Sequence, residues 1–378
     1  MRIIKIPQTM KKTFLLLAAC ALLLTVGCKK DLTSSLLGTE SIVNGGTISI
    51  CTLYAYVLNE GAWGGNDASI SRLNLEDGTI EADWFAQSNG RGLGDLAQDM
   101  IHYGSHLYVT VYNSNTLEVI DPATGRSVKQ IDMGTRGPRY MVGCGGKIYV
   151  TCYDKTVVRI DTVTYDIEAV CPLSGMQPEQ ICLLGNWLYI CNSWQYGDNG
   201  DPIYDSTLSV VDISTFTEVM KLPILVDPTN QTYAYNPNKI KKNNRGEMVI
   251  DCPGDYYDQV NKPAQTVVLT VGSTPTFTRY PINLTNFDFY GNDLYSYATS
   301  YDASWNPTAV FYRNETPILT SYSATLSNAY GINVNPANGD LYICNCSYGA
   351  AGDVYCFAND GTERWHVEAG IYASKVVF

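Results

Sequence analysis

Histidine is scarce in this sequence: His102, His106 and His366 are the only three among 378 residues. None stands beside cysteines or carboxylates at the spacing a zinc site needs, so a structural zinc domain is not expected. The same scarcity leaves no ready general base, and no serine sits in a nucleophile-elbow motif, which makes a hydrolase the lesser reading. Charge is also thin, at 16% of residues, while Tyr reaches 28, Gly 32 and Pro 16. That balance argues against a mainly helical chain and for many short strands punctuated by turns. Cations are in deficit, with 25 Lys and Arg against 37 Asp and Glu and a net charge of −12. Nucleic acid and anionic lipid are therefore poor main partners. Long hydrophobic runs are missing too, apart from "TFLLLAACALLLTVG", which is short for a membrane span.

That one run follows Lys11 and Lys12 and reads as a secretory signal over residues 1–27. It closes on "TVGC" followed by "KKDLTSS", small residues before a cysteine and polar ones after. The pattern resembles the bacterial lipoprotein signal, in which Cys28 would become the acylated first residue; Thr25 stands where that signal usually has Leu, with Leu24 beside it. Removing residues 1–27, which hold Arg2, Lys5, Lys11 and Lys12 and no acid, takes the charge from −12 to −16. Residues 28–46 show little apolar periodicity and read as a lipidated tether.

The remainder, 47–378, is repetitive. "GNWLYICN" and "GDLYICN" repeat one theme: a glycine, a polar residue or two, then an aromatic and β-branched run. Further copies begin at Gly104 ("GSHLYVTVYN"), Gly146 ("GKIYVTCYD") and Gly291 ("GNDLYSYATSY"), with weaker ones at Arg245 and Tyr54. Seven copies at intervals of roughly 40 to 60 residues match the length of a four-stranded propeller blade. Each is followed by two more strands separated by tight turns such as "DPATG" and "NPANGD", and preceded by a short strand. The expected fold is all-β: a seven-bladed β-propeller of four-stranded antiparallel blades, strands a to d from centre to rim.

The termini support this. Ordered sequence starts at a strand b, "YAYVLNEG", with no strand a before it, and the chain ends on "AGIYASKVVF", which looks like a spare strand a. The carboxyl-terminal strand would complete the first blade and close the ring, removing exposed sheet edges. Two β-sandwich domains, the rival fold, would not predict complementary half-repeats.

In this topology the b-to-c loops and d-to-a connections share one face. Several b-to-c segments are long and aromatic: "EGAWGGNDAS", "SWQYGDNGDPIYDS", "PGDYYDQVNKP", "SYDASWNP" and "SYGAAGD". They place Trp63, Trp194, Tyr196, Tyr256, Tyr257, Tyr301, Trp305 and Tyr348 on one rim among Asn, Asp and Gln. Rings supply stacking area and amides orient, which suits a large, flat, partly polar ligand; the bland alternative is that the rings rigidify their own loops. Residues at the start of each strand a should line the channel: Gln98, Arg139, Glu179, Asn238, Tyr330 and Ser374. Arg139 is the foremost ligand candidate among them. Glu179 with Asn238 could imitate the oxygen ligands of a propeller metal site, but no metal is expected. Ten cysteines remain beyond Cys20 and Cys28 and mostly read as small buried residues, with Cys344 and Cys346 the pair to test for oxidation.

"LNEGAWGGNDASISRLNLEDGTI", "NTLEVIDPATG", "GPRYMVG" and the stretch from "YGINVNPANGDLYICN" to the end resemble the YncE-like surface-layer propeller lipoproteins of gut Gram-negative anaerobes, most of all the BtuG type. The resemblance covers nearly the whole chain after the signal. It implies a lipid-anchored protein of the outer membrane, exposed at the cell surface. Its ligand would be cobalamin or a related corrinoid, held as ligand and not as cofactor, and passed to a TonB-dependent transporter without chemistry. A protein- or glycan-binding module is the alternative.

Overall fold

The computed structural model describes residues 41–43, 46–48, 53–347 and 349–378. The signal segment, Cys28, most of the tether, Cys51 and Tyr348 lie outside the described residues. The chain divides into residues 1–50 and 51–378. The first unit contains a two-stranded antiparallel ribbon, Ser41–Val43 against Gly46–Ile48. No helix among the described residues is long and apolar enough to cross a membrane.

The second unit is a seven-bladed propeller of four-stranded antiparallel sheets. Blade 1 comprises residues 54–81 with Ala373–Val377, and blades 2 to 7 span 97–132, 138–172, 178–223, 239–279, 286–318 and 329–371. The inner part of every strand b is buried, because it is covered on both faces by neighbouring blades, while the outer ends in blades 4 and 6 are exposed. Leu58, Ile70, Met100 and Val109 fill the space between blades 1 and 2, and Cys191, Leu208, Ile250 and Val267 that between blades 4 and 5. All nine described cysteines are buried and outside any disulfide, Cys344 and Cys346 included.

The ring closes between the two ends of the propeller. Strand b of blade 1 (Tyr54–Asn59) pairs with strand a (Ala373–Val377), setting Tyr56 opposite Val377 and Leu58 opposite Lys375. Backbone comes close enough at this seam that Gly331 is required: a Cβ there would lie 2.2 Å from the Ser374 carbonyl oxygen.

The threonine after the buried run of "GSHLYVTVYN" and "GKIYVTCYD" has a structural cause. In blades 2, 3, 4, 7 and 1 the register of strand a against strand b shifts at the channel end, leaving residues unmatched in a bulge. Thr110 and Thr151, both fully buried, face this irregularity from strand b. Their hydroxyls accept the Asp99 and Tyr140 N–H at 3.1 and 3.0 Å. They also donate across the blade boundary, Thr110 to the Arg139 carbonyl and Thr151 to that of Glu179 at 2.9 Å. One side chain thus repairs the ladder within its blade and ties it to the next.

Two features were not expected from the sequence. A short helix, Trp84–Asn89, follows blade 1 and buries Trp84 and Phe85. The aromatic segments of blades 4 and 6 are not loops: strand pairing extends outward through Trp194 opposite Tyr204 and Tyr196 opposite Pro202, and through Tyr301 opposite Pro307. Aromatic and β-branched side chains favour continued pairing, so these hairpins project from the face as ribbons.

Candidate functional site

The bulges decide what faces the channel. Gln98, Arg139, Tyr140, Gln180, Tyr330 and Ser374 fall at these shifts, and all line one open cavity of about 930 Å³ at the centre of the ring. The five expected channel residues Gln98, Arg139, Asn238, Tyr330 and Ser374 line it. Glu179 does not; it is buried behind Arg139.

Arg139 is the best-anchored charge in the site. Its guanidinium grips Glu179 through Nε (3.1 Å) and Nη2 (2.9 Å), and donates to the Gln98 amide oxygen. The Tyr153 hydroxyl donates to the same carboxylate, and the guanidinium lies 4.4 Å over the Tyr153 ring and 5.1 Å over that of Tyr112. Burial works against its charge, but the Glu179 carboxylate outweighs burial and its pKa is raised. Both Glu179 oxygens are occupied by Arg139 and Tyr153, so the suggested pairing of Glu179 with Asn238 around a cation is not set up. No group of three or more His, Cys, Asp or Glu that could hold a metal occurs among the described residues.

Around the mouth stand Trp63, Trp194, Tyr196 and Tyr301, all lining the cavity. Trp63 is 64% exposed, 6.1 Å from the Tyr112 ring, on a loop pinned by Asp67, which accepts the Ala62 N–H at 2.8 Å, and by Asp95, which accepts that of Gly64. Gly61, at φ 82°, permits the turn that brings Asp67 back. Trp194 and Tyr196 pack edge to face at 4.9 Å on the blade 4 ribbon. Three expected residues fall outside the cavity. Tyr256 packs on Tyr204, Tyr257 is 85% exposed on the blade 5 loop, and Trp305, 80% exposed, sits at the tip of the blade 6 ribbon.

Several lining residues were missed. Tyr112 and Tyr153 complete the aromatic wall, their rings 5.3 Å apart; the signal was present in "TVYN" and "TCYD", where the residue just past strand b is aromatic. Glu60, Asp99, Lys239, Lys241 and Lys375 supply charge. Lys375 of blade 1 reaches Asp99 of blade 2 at 2.6 Å. Burial pushes the Glu60 carboxyl above its ordinary value, opposed by a 2.7 Å hydrogen bond from the Tyr330 hydroxyl. Cys346 also lines the cavity, but burial pushes its thiol up to about 12, so it is no ready thiolate.

Residues 54–368 match a family described as a domain of unknown function, DUF5074. The chain belongs to the DUF5074 family. No curated protein matches this DUF5074 chain by sequence. Solved structures share its fold at low identity. A quinonprotein alcohol dehydrogenase-like protein from Bacteroides thetaiotaomicron is 13% identical, with a TM-score of 0.59, over 89% of this chain and 82% of that one. Hydrazine synthase of Kuenenia stuttgartiensis is 13% identical, with a TM-score of 0.57, over 73% and 86%. The β-propeller domain of Cps50 (Swd1) from Myceliophteria thermophila is 9% identical, with a TM-score of 0.53, over 82% and 98%. At these identities the likeness extends to the fold alone.

Proposed function

We propose that this DUF5074 protein is a lipid-anchored binding propeller of the outer-membrane surface, which captures a large ring-bearing ligand in its central cavity and releases it unchanged. The observation that carries this reading is the cavity of about 930 Å³ walled by Trp63, Tyr112, Tyr153, Trp194, Tyr196 and Tyr301. That volume is at the upper end of small-molecule sites, roughly 300 to 1,000 Å³. Rings around a polar floor suit a planar ligand with a polar edge. Cobalamin or a related corrinoid has that chemistry, and the resemblance to BtuG-type lipoproteins favours it. Handover would then be to a TonB-dependent transporter. Calorimetry with cobalamin tests the reading: a saturable heat and a raised melting temperature are expected, and the absence of both would overturn it.

A second reading, a protein- or glycan-binding module, draws on a different observation. Tyr257, Val260 and Trp305 are more than three-quarters exposed on the cavity face yet lie outside the cavity. A broad partner would cover them, whereas a small molecule would leave them bare. A pull-down from outer membranes that recovers a transporter, with no affinity for cobalamin, would favour this reading.

A further inference from the structure

Blades 5 and 6 keep the register that the other blades lose. The innermost strand of blade 5, Lys239–Lys242, has no bulge and pairs residue for residue with Met248–Asp251. Side chains therefore alternate strictly. Ile240 enters the core between blades, while Lys239 and Lys241 both line the cavity. No other innermost strand brings two lysines to the channel.

A lysine ammonium has three N–H donors. Lys239 donates to the Thr285 carbonyl at 2.9 Å and stands 3.9 Å from Asp251; Lys241 donates to Asp288 at 3.0 Å. Each keeps donor capacity. Asn238, the preceding residue, spends its main chain on Asp251 and Gln180, and its side-chain amide has no partner among the described residues. Asn238 lines the same wall. Facing charges are Asp251 on strand b, Asp288 on blade 6, the Lys375–Asp99 and Arg139–Glu179 pairs across the channel, and Glu60. The cavity lining thus shows four cations (Arg139, Lys239, Lys241, Lys375) against two carboxylates (Glu60, Asp99), in a chain whose net charge is −12.

We propose that the blade 5 wall is an anion seat, in which Lys239, Lys241 and the Asn238 amide hold a carboxylate or phosphate group of the ligand whose rings lie against the aromatic mouth. This rests on the small-molecule reading above and narrows its ligand to one with an anionic group. Burial also pushes the Asp251 carboxyl up to about 7, so near neutrality it cancels the Lys239 charge only in part.

The probe is pyrenetetrasulfonate, a planar polyanion whose binding is read by quenching of Trp63 and Trp194. Saturable binding is expected. Competition by inorganic phosphate or by citrate then tells which anion the seat prefers. Lys239→Gln and Lys241→Gln should each weaken the probe about tenfold or more, the usual loss for a hydrogen bond to a charged group. Asn238→Ala should weaken it less, and Lys147→Gln, on the opposite face, not at all. Asn238→Ala disturbs no described side-chain bond, so it serves if Lys239→Gln fails to fold. No binding, no competition by either anion, or equal affinity in all variants overturns the seat. Cobalamin titrations on the same proteins separate the two readings. Cobalamin binding that is indifferent to Lys239 and Lys241 removes the seat alone, and anion binding without cobalamin binding removes the corrinoid reading alone.

Discussion

The Arg139 guanidinium and the Glu179 carboxylate, from bulges of adjacent blades, meet at 2.9 Å with side chains only 13% and 3% exposed. They join blades 3 and 4 at the level where a ligand would rest, so the pair is both a fastening and part of the floor. Such a pair is costly to break from one side, because the partner left behind is a buried charge.

Arg139→Ala should therefore lower the unfolding free energy by about 3 kcal/mol or more. Urea unfolding of the variant checks this. A loss well below about 1 kcal/mol would mean that water already screens the pair as at a surface site.

Closure of the ring gives a second expectation. Deleting residues 373–378 strips strand a from blade 1 and uncovers Ala55 and Val57, which are fully buried. The truncated chain should lose its single cooperative unfolding transition and become sensitive to protease. Survival of a sharp transition would show that the blades hold without closure.

That closure was legible because it needs only a missing strand at one end and a spare one at the other. The repeat was legible for a similar reason: the glycine of each a-to-b turn and the buried run after it must recur wherever a blade recurs. The channel lining was only half legible. Strict alternation lets one residue of Gln98–Asp99 or Ser374–Lys375 face inward, yet the bulge turns both toward the cavity. Lys239 and Lys241 were missed for the opposite reason, since their strand keeps the alternation that the bulged blades lose. Tyr257 and Trp305 share the rim expected of them but not the cavity lining, because hairpin projection depends on strand pairing, which a run of aromatic and polar residues does not reveal.

Asp251 makes stability depend on pH. Its carboxyl rises from 3.8 to about 7 because burial disfavours the charged form, with Lys239 opposing. Between these values the folded protein holds a proton that the unfolded chain has released, so stability falls as pH rises from about 4 to about 7. Asp251→Asn, neutral throughout, should flatten this slope, and its advantage over the parent protein should be larger at pH 7.5 than at pH 5. Melting temperatures across that range give the check; parallel profiles for the two proteins would place the titration elsewhere.

The rings around the mouth separate capture of a small molecule from docking of a larger partner. Trp63 and Trp194 line the cavity, whereas Tyr257 and Trp305 share its face but stand outside it. A stacked aromatic contributes on the order of 1 kcal/mol beyond the area it covers, so removing a ring that touches ligand should cost about tenfold or more in affinity. For cobalamin, Trp63→Ala and Trp194→Ala should each show that loss by calorimetry, while Tyr257→Ala and Trp305→Ala leave affinity within about twofold. None of the four side chains fills the core between blades, so melting temperatures should stay close to the parent value. The reverse pattern, with the outer pair decisive and the inner pair silent, would move the contact surface from the cavity to the ribbons and loops around it. A partner of that breadth would have to be a macromolecule.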